Sequence, residues 1–486
     1  MVFMMPELAF GWIIPEITIT LCAVVTLLLA AFFGRKRNIG NAAGAVSLIG
    51  AGLAFIFTCA LWDSNLDVFN GLYTIDNFGI FFKAVALIVS FLVTLLSLRY
   101  VEREDIIRGE YYALLLFGVL GMMIMVSSNN FITIFIGLEL MSIPIYVLCG
   151  LLSGNPRSAE ASLKYFLLGA FSTAFLIYGM AFIYGATGII DIRGIAHHVL
   201  HGNFSLTPAF MIGLAMVIVG FGFKTASVPF HMWTPDVYEG APTSITAFMA
   251  TGVKAAAFGA FLRVFYTVFA PFMEGLSGIL WIIAVLTMTV GNTTALVQDN
   301  VKRMLAYSSI AHAGYILIAF VIGDASFSSS VLFYMLVYTF MNIGAFTIII
   351  ILGQKDKDNT DIESYAGLAG RHPLIALSMT VFLLSLAGIP PLAGFMGKLY
   401  IISAAIKAKF YWLAVIGVLN STVAAYYYLR VIMYMYFKEP AEEPDQPDVS
   451  AAYAVVIIIS LWAVVHMGIF PRDFLIIAQK SVNIFM

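Results

Sequence analysis

The sequence predicts an all-α polytopic membrane protein of about fourteen transmembrane helices, with two inverted five-helix repeats that each contain a broken helix. Three observations carry that prediction. Apolar residues make up 61% of the chain and charged residues only 11%, against about 25% charged in ordinary soluble domains. Apolar stretches of about 20 residues, enough to span a bilayer core of about 30 Å, recur from one end to the other. Two of them are interrupted by proline beside a lysine, at Lys224 with Pro229 and at Pro390-Pro391 with Lys398, and corresponding broken helices point to a working site at the bilayer midplane.

Residues 1–105 form an N-terminal three-helix segment, with helices near 12–33, 40–62 and 78–99 and no strongly placed buried charge. Residues 106–270 form the first five-helix repeat, with helices near 111–128, 130–152, 160–186, 208–227 and 243–267. Residues 271–438 form the second, near 276–297, 302–322, 328–352, 373–389 resuming after a break to 406, and 411–437. Five is odd, so the second repeat runs through the membrane upside down relative to the first. Residues 439–486 supply a cytoplasmic loop, with the acidic stretch Lys438 to Asp445, and a last helix near 451–470.

Cations fall in alternate loops: Arg35, Lys36 and Arg37; Arg99, Arg103 and Arg108; Arg157; Lys302 and Arg303; Lys355, Lys357 and Arg371; Lys438. The positive-inside rule makes those loops cytoplasmic and puts both termini outside. No cation precedes the first apolar run, so no cleaved signal peptide is expected.

Several function classes are excluded. A net charge of −2 leaves no footprint for nucleic acid. Cys22, Cys59 and Cys149 lie in apolar runs without the spacing of a zinc or iron–sulfur site. His197, His198, His201, His231 and His372 are read in loops or at helix breaks, and His312 and His466 make a poor haem pair. No GxGxxG follows a strand pattern and no Walker loop is present. The chain is expected to carry no cofactor of its own.

What remains is a set of charges in costly places. A charged side chain at the centre of a bilayer helix costs roughly 2.5–3.5 kcal/mol, so such residues usually face polar cavities and mark ion or proton paths. Lys224, Lys254 and Lys398 lie deep in or beside apolar runs, and Lys164 little more than a turn into its helix, with Glu160 four residues earlier. Glu139 is read as the only acid deep in these helices, so it is expected to face a lysine, Lys224 foremost. Separating two charges about 4 Å apart removes about 4 kcal/mol at an effective dielectric of about 20, about a thousandfold in proton affinity. The proline breaks at Pro229, Pro390 and Pro391 free backbone groups that only water or polar side chains can satisfy, although each alone also fits a simple kink. His312 shares a helix face with Ser308 and Tyr315, and histidine is the residue type whose unperturbed charge change falls near neutral pH, which suits it to pass protons between the lysine sites. Lys83 and Arg430 lie about two turns from helix ends and are read as snorkelling.

The residues around these charges also resemble a known family. The run from Phe223 and Lys224 through Val228, Pro229, Phe230, His231, Trp233, Pro235, Asp236 and Tyr238 to Thr243 is similar to a signature of the proton-conducting antiporter-like subunits of respiratory complex I. Val301 to Tyr315 and Ile389 to Lys398 are similar to two further blocks. The resemblance implies a redox-cofactor-free subunit of a proton-translocating NADH:quinone oxidoreductase in a bacterial inner membrane. NADH, FMN, iron–sulfur clusters and quinone are then expected in partner subunits, and the neighbours are other membrane subunits and lipid. Glu139, Lys164, Lys224, Lys254 and Lys398 match the family's charged positions. Two alternatives stay open: a subunit of a multi-subunit sodium/proton antiporter, and a scaffold whose buried pairs only hold helices in register.

Overall fold

Short polar residues stop the chain where its apolar runs begin. Asp76, Asn130, Asn155, Asp191, Thr207, Asn300 and Ser450 each accept a hydrogen bond from a backbone N–H of the helix that follows, which satisfies donors that a helix start leaves orphaned. Pro156, Pro208 and Pro373 occupy first helical positions, where a missing N–H costs nothing. The computed structural model describes residues 10–34, 37–106, 108–202, 204, 206–355, 359–440 and 447–485. Arg35, Lys36, Lys357 and most of the acidic stretch before Asp445 therefore lie outside the described residues.

In chain order the elements are α1 (Ile14–Phe33), α2 (Arg37–Ala60), a small hairpin of β1 (Leu66–Val68) and β2 (Tyr73–Ile75), α3 (Asn77–Arg103), α4 (Arg108–Val126), α5 (Phe131–Cys149) and α6 (Pro156–Thr187). The hairpin is antiparallel, with Leu66 opposite Ile75. Then follow α7 (Ile192–His201), α8 (Pro208–Thr225), α9 (Trp233–Gly240), α10 (Thr243–Phe248) and α11 (Lys254–Val264). The last two join through a π-helical turn, Met249–Val253, into one crossing, Thr243–Phe269. The second half contains α12 (Met273–Leu296), α13 (Val301–Ile322), α14 (Ser328–Leu352), α15 (Leu368–Arg371), α16 (Pro373–Ala387), α17 (Ala393–Lys407) and α18 (Tyr411–Phe437). The chain closes with α19 (Ala451–Ile469) and α20 (Arg472–Val482).

Among the described residues 13 helices are long and apolar enough to cross a membrane, and the broken pair α16–α17 supplies the remaining expected crossing. The crossing Thr243–Phe269 is buried along its whole apolar window, and α13 and α14 nearly so. They form the core, and α1, α2, α6, α12, α18 and α19 surround it with exposed apolar faces. Both proline breaks appear: residues 226–232 separate α8 from α9, and residues 388–392 separate α16 from α17.

One tertiary feature occurs twice. Asn130, the cap of α5, pairs in a β-bridge with Asp191, and Asn300, the cap of α13, pairs in the same way with Asp361. The backbone bonds match: Phe131 N donates to Ile190 O and Ile192 N to Asn129 O, while Val301 N donates to Thr360 O and Ile362 N to Asp299 O.

Five expectations need correction. Lys83 does not snorkel: it is fully buried and its Nζ lies 2.8 Å from Glu16 Oε1, because α1 brings an acid against α3. The N-terminal segment therefore holds a buried charge pair, and Glu139 is not the only deep acid. Lys302 is no loop cation, since the first turn of α13 turns it inward to complete burial. His197, His198 and His201 stand on α7 rather than in a loop. Arg430 does reach the rim, where it binds Leu296 O and Asp299.

Candidate functional site

Lys224 ends α8 just before the first break and is only 3% exposed. Its Nζ donates to Ser142 Oγ at 2.7 Å and to Tyr146 Oη at 3.1 Å, both on α5. The rings of Tyr146, Tyr165 and Phe223 stand 5.4, 5.8 and 5.7 Å away, within range of cation–π attraction. Glu139 lies one turn before Ser142, but its Oε1 accepts from Thr173 Oγ1 of α6 at 2.8 Å. The expected Glu139–Lys224 ion pair is absent. The hydroxyls of Ser142 and Tyr146 fill the ammonium's reach, and Glu139 sits half-buried on the flank facing α6.

Lys164 is held at the rim. Its Nζ pairs with Glu160 and Asp236, both at 2.6 Å, and its side chain stays 39% exposed. Asp236 in turn binds Arg303 at 2.9 Å, and Arg303 holds Glu239 at 2.7 Å. This network ties α6 and α9 to α13 at the rim. Burial opposes the Asp236 charge, but Lys164 and Arg303 hold its carboxyl below the usual carboxylate range.

From Lys254 onward the polar contacts are more continuous. Lys254 opens α11 directly after the π turn, an irregularity frequent at functional sites. Its Nζ donates to Ser309 O at 2.8 Å and also binds Ser309 Oγ. The next residue back, Ser308, hydrogen-bonds Tyr428 Oη, which lies 3.2 Å from His312 Nε2. His312 Nδ1 contacts Tyr334 Oη at 2.5 Å, and the imidazole is within electrostatic reach of both Lys254 and Lys398. Lys398 reaches back across the second break to Leu386 O at 3.0 Å, Ala387 O at 2.9 Å and Ser421 Oγ at 3.0 Å. These carbonyls are the negative end of a half-helix dipole, a natural seat for a cation. Gly388, at φ +87°, makes the approach possible, since a Cβ there would meet Lys398 Cδ at 2.9 Å.

The family described as NADH:quinone oxidoreductase/Mrp antiporter, transmembrane, matches residues 128–424, the stretch that holds all of these groups except Tyr428. The chain is 49% identical to NADH-quinone oxidoreductase subunit N of Trichlorobacter lovleyi, over 97% of this chain and 96% of that one. The chain belongs to the NADH-quinone oxidoreductase subunit N family. It is 43% identical to subunit N 2 of Rhizobium meliloti over 96% of each chain. A chain of respiratory complex I from Thermus thermophilus superposes with a TM-score of 0.81 at 34% identity, covering 95% of this chain and 98% of that one. A chain of the Mrp complex from Dietzia sp. superposes with a TM-score of 0.84 at 19% identity, covering 97% of each, which speaks for a shared fold alone.

Within this subunit N family framework, sequence reasoning named the charged positions and missed the neutral groups that hold them. Ser142 and Tyr146, three and seven residues after Glu139, were findable as a polar stripe on one face of α5. Tyr334, Tyr428 and Ser421 come from helices distant in sequence, and no local pattern marks them.

Proposed function

We propose that this chain is the proton-translocating, redox-cofactor-free membrane-arm subunit of an NADH-quinone oxidoreductase. It would be driven by neighbouring subunits that hold NADH, FMN, iron–sulfur clusters and quinone. Protons move along Lys224, Lys254, His312 and Lys398, with Glu139 and Lys164 as flanking charges. One observation carries the reading: Lys224, Lys254 and Lys398 are nearly inaccessible, and their hydrogen-bond partners are hydroxyls and carbonyls rather than carboxylates. A scaffold built on buried pairs needs counter-ions, and these lysines use none.

The two matching bridges, at Asn130 and Asn300, support inverted repeats over residues 106–270 and 271–438. With loops bearing cations placed in the cytoplasm, the first bridge lies outside and the second inside. The same rule puts both termini on the periplasmic side of a bacterial inner membrane. The sodium/proton antiporter reading has the shared fold in its favour but not the level of identity.

The test is proton pumping per NADH oxidised in vesicles carrying Lys224→Ala or Lys398→Ala, with a blot for assembly. Reduced pumping in an assembled complex is expected. Unchanged pumping would leave the scaffold ahead.

A further inference from the structure

We propose that Lys302 is a second proton-uptake residue of this subunit, seated behind a polar cytoplasmic vestibule and feeding Lys254 without passing Lys224. The inference rests on the pumping role and deepens it.

A cavity of about 950 Å³ opens where the end of α3, the α5–α6 loop, the end of α9 and the segment before residue 362 meet. Its ionisable lining is Glu104, Asp105, Glu239 and Asp361 with Arg157 and Lys355, and Glu104 and Glu239 are also paired with Arg103 and Arg303 just behind it. Arg157 leans outward, 74% exposed, with its guanidinium 3.4 Å from Glu239. A recess of this size lined by charged and polar groups has room and partners for water, the carrier of protons from bulk solvent. The loops that form it carry the cations that assign them to the cytoplasm.

Lys302 stands directly behind this wall. It is 0% exposed, and its Nζ donates to Ala241 O at 2.6 Å, next to Gly240 of the lining. The start of α13 is fastened to the rim by Asn300 Nδ2 on Thr360 Oγ1 at 2.7 Å and by Val301 N on Thr360 O at 2.7 Å. Seven residues further on the same helix face, about 10 Å along the axis, Ser309 receives Lys254 through both its carbonyl and its hydroxyl. Tyr238, three residues before Ala241, turns its hydroxyl toward the same serine. Tyr238, Ser309 and Lys254 thus form a polar cluster in the core, and Lys302 stands between it and the vestibule, about two turns of α13 away. In its neutral form Lys302 takes a proton from vestibule water, leaving hydroxide neutralised by bulk solvent. It then returns to neutral by handing that proton inward, toward Lys254.

The test uses the intact complex in inverted vesicles. One variant is Lys302→Met; another is Ser153→Cys, on the vestibule wall, modified after assembly by a membrane-impermeant, positively charged thiol reagent. Lys398→Ala serves as the reference for the pump itself. The expected result is loss of this subunit's share of protons per NADH in Lys302→Met, and the same loss on modifying Ser153→Cys from the cytoplasmic side only. If Lys398→Ala lowers pumping but modified Ser153→Cys does not, the uptake assignment is wrong. If Lys302→Met fails to assemble, modified Ser153→Cys still decides, because its reagent acts on a finished complex. If none of the three changes pumping, the pump reading itself fails.

Discussion

Lys83 and Arg263 are as deeply buried as Lys224, Lys254 and Lys398, yet their surroundings differ in kind. Lys83 lies 2.8 Å from Glu16, which also accepts from Tyr73 at 2.5 Å. Arg263 grips both oxygens of Asp76, at 2.7 and 2.8 Å, and donates to Val126 O at 3.0 Å. The three lysines proposed to relay protons instead meet Ser142, Tyr146, Ser309 and Ser421 hydroxyls and helix-end carbonyls. A carboxylate partner locks a buried cation into its charged form, because losing the proton would strand an anion. A hydroxyl both donates and accepts, so it can serve an ammonium or an amine. The chain thus keeps fixed charge where α1, α3 and α11 are clamped together, and adaptable charge at the lysines of the proposed proton path.

That contrast breaks first at Arg263. Arg263→Met leaves the Asp76 carboxylate buried without its counter-ion, and removing one partner of such a pair costs about 3–5 kcal/mol. The expected outcome is a sharp fall in assembled complex with normal turnover in whatever assembles. Glu16→Leu alone should act in the same direction, and Glu16→Leu with Lys83→Met should recover most of the yield, since replacing both charges by apolar groups is often neutral. Normal yield in both single variants would erase the distinction between the two regions.

Lys254→Met tests the other side. Losing hydrogen bonds to Ser309 leaves a carbonyl and a hydroxyl short of one donor, a penalty of about 1–3 kcal/mol, so assembly is expected to survive while protons pumped per NADH fall. A complex that fails to assemble but pumps normally per surviving particle would move Lys254 into the clamped class.

The sequence showed which residues are charged and where helices break, because both are local. Proline interruption at Val228-Pro229 and Pro390-Pro391 and apolar runs of bilayer length need no tertiary knowledge. Partnership was not legible. Lys83 looked like a snorkelling residue because its counter-ion, Glu16, sits on a different helix, and Lys302 looked like a loop cation because a helix start and a loop read alike beside Asn300. Glu139 and Lys224 were matched by elimination, whereas Ser142, one turn on, took the lysine.

Glu139→Gln sharpens the comparison at a smaller scale. Thr173 can donate to the amide oxygen as it does to the carboxylate, so folding should change by no more than about 1 kcal/mol. Any larger drop in pumping than in yield then reports the charge itself, acting on Lys224 from one turn away.

The smallest effect belongs to the rim network. Asp236 ionises more readily in the folded chain than free in solution, since Lys164 and Arg303 outweigh the burial that opposes its charge. Its contribution is therefore present above the ordinary carboxylate range near pH 4 and is lost as pH falls through the depressed folded value. About a third of its side chain is exposed, so the contribution should stay within about 1 kcal/mol and shrink in high salt. Thermal inactivation of the assembled complex, followed across the acid range, should show a shallower loss in Asp236→Asn than in the parent chain. An identical acid profile would mean that Lys164 and Arg303 hold α6, α9 and α13 together through Glu160 and Glu239, with Asp236 adding no acid-sensitive link of its own.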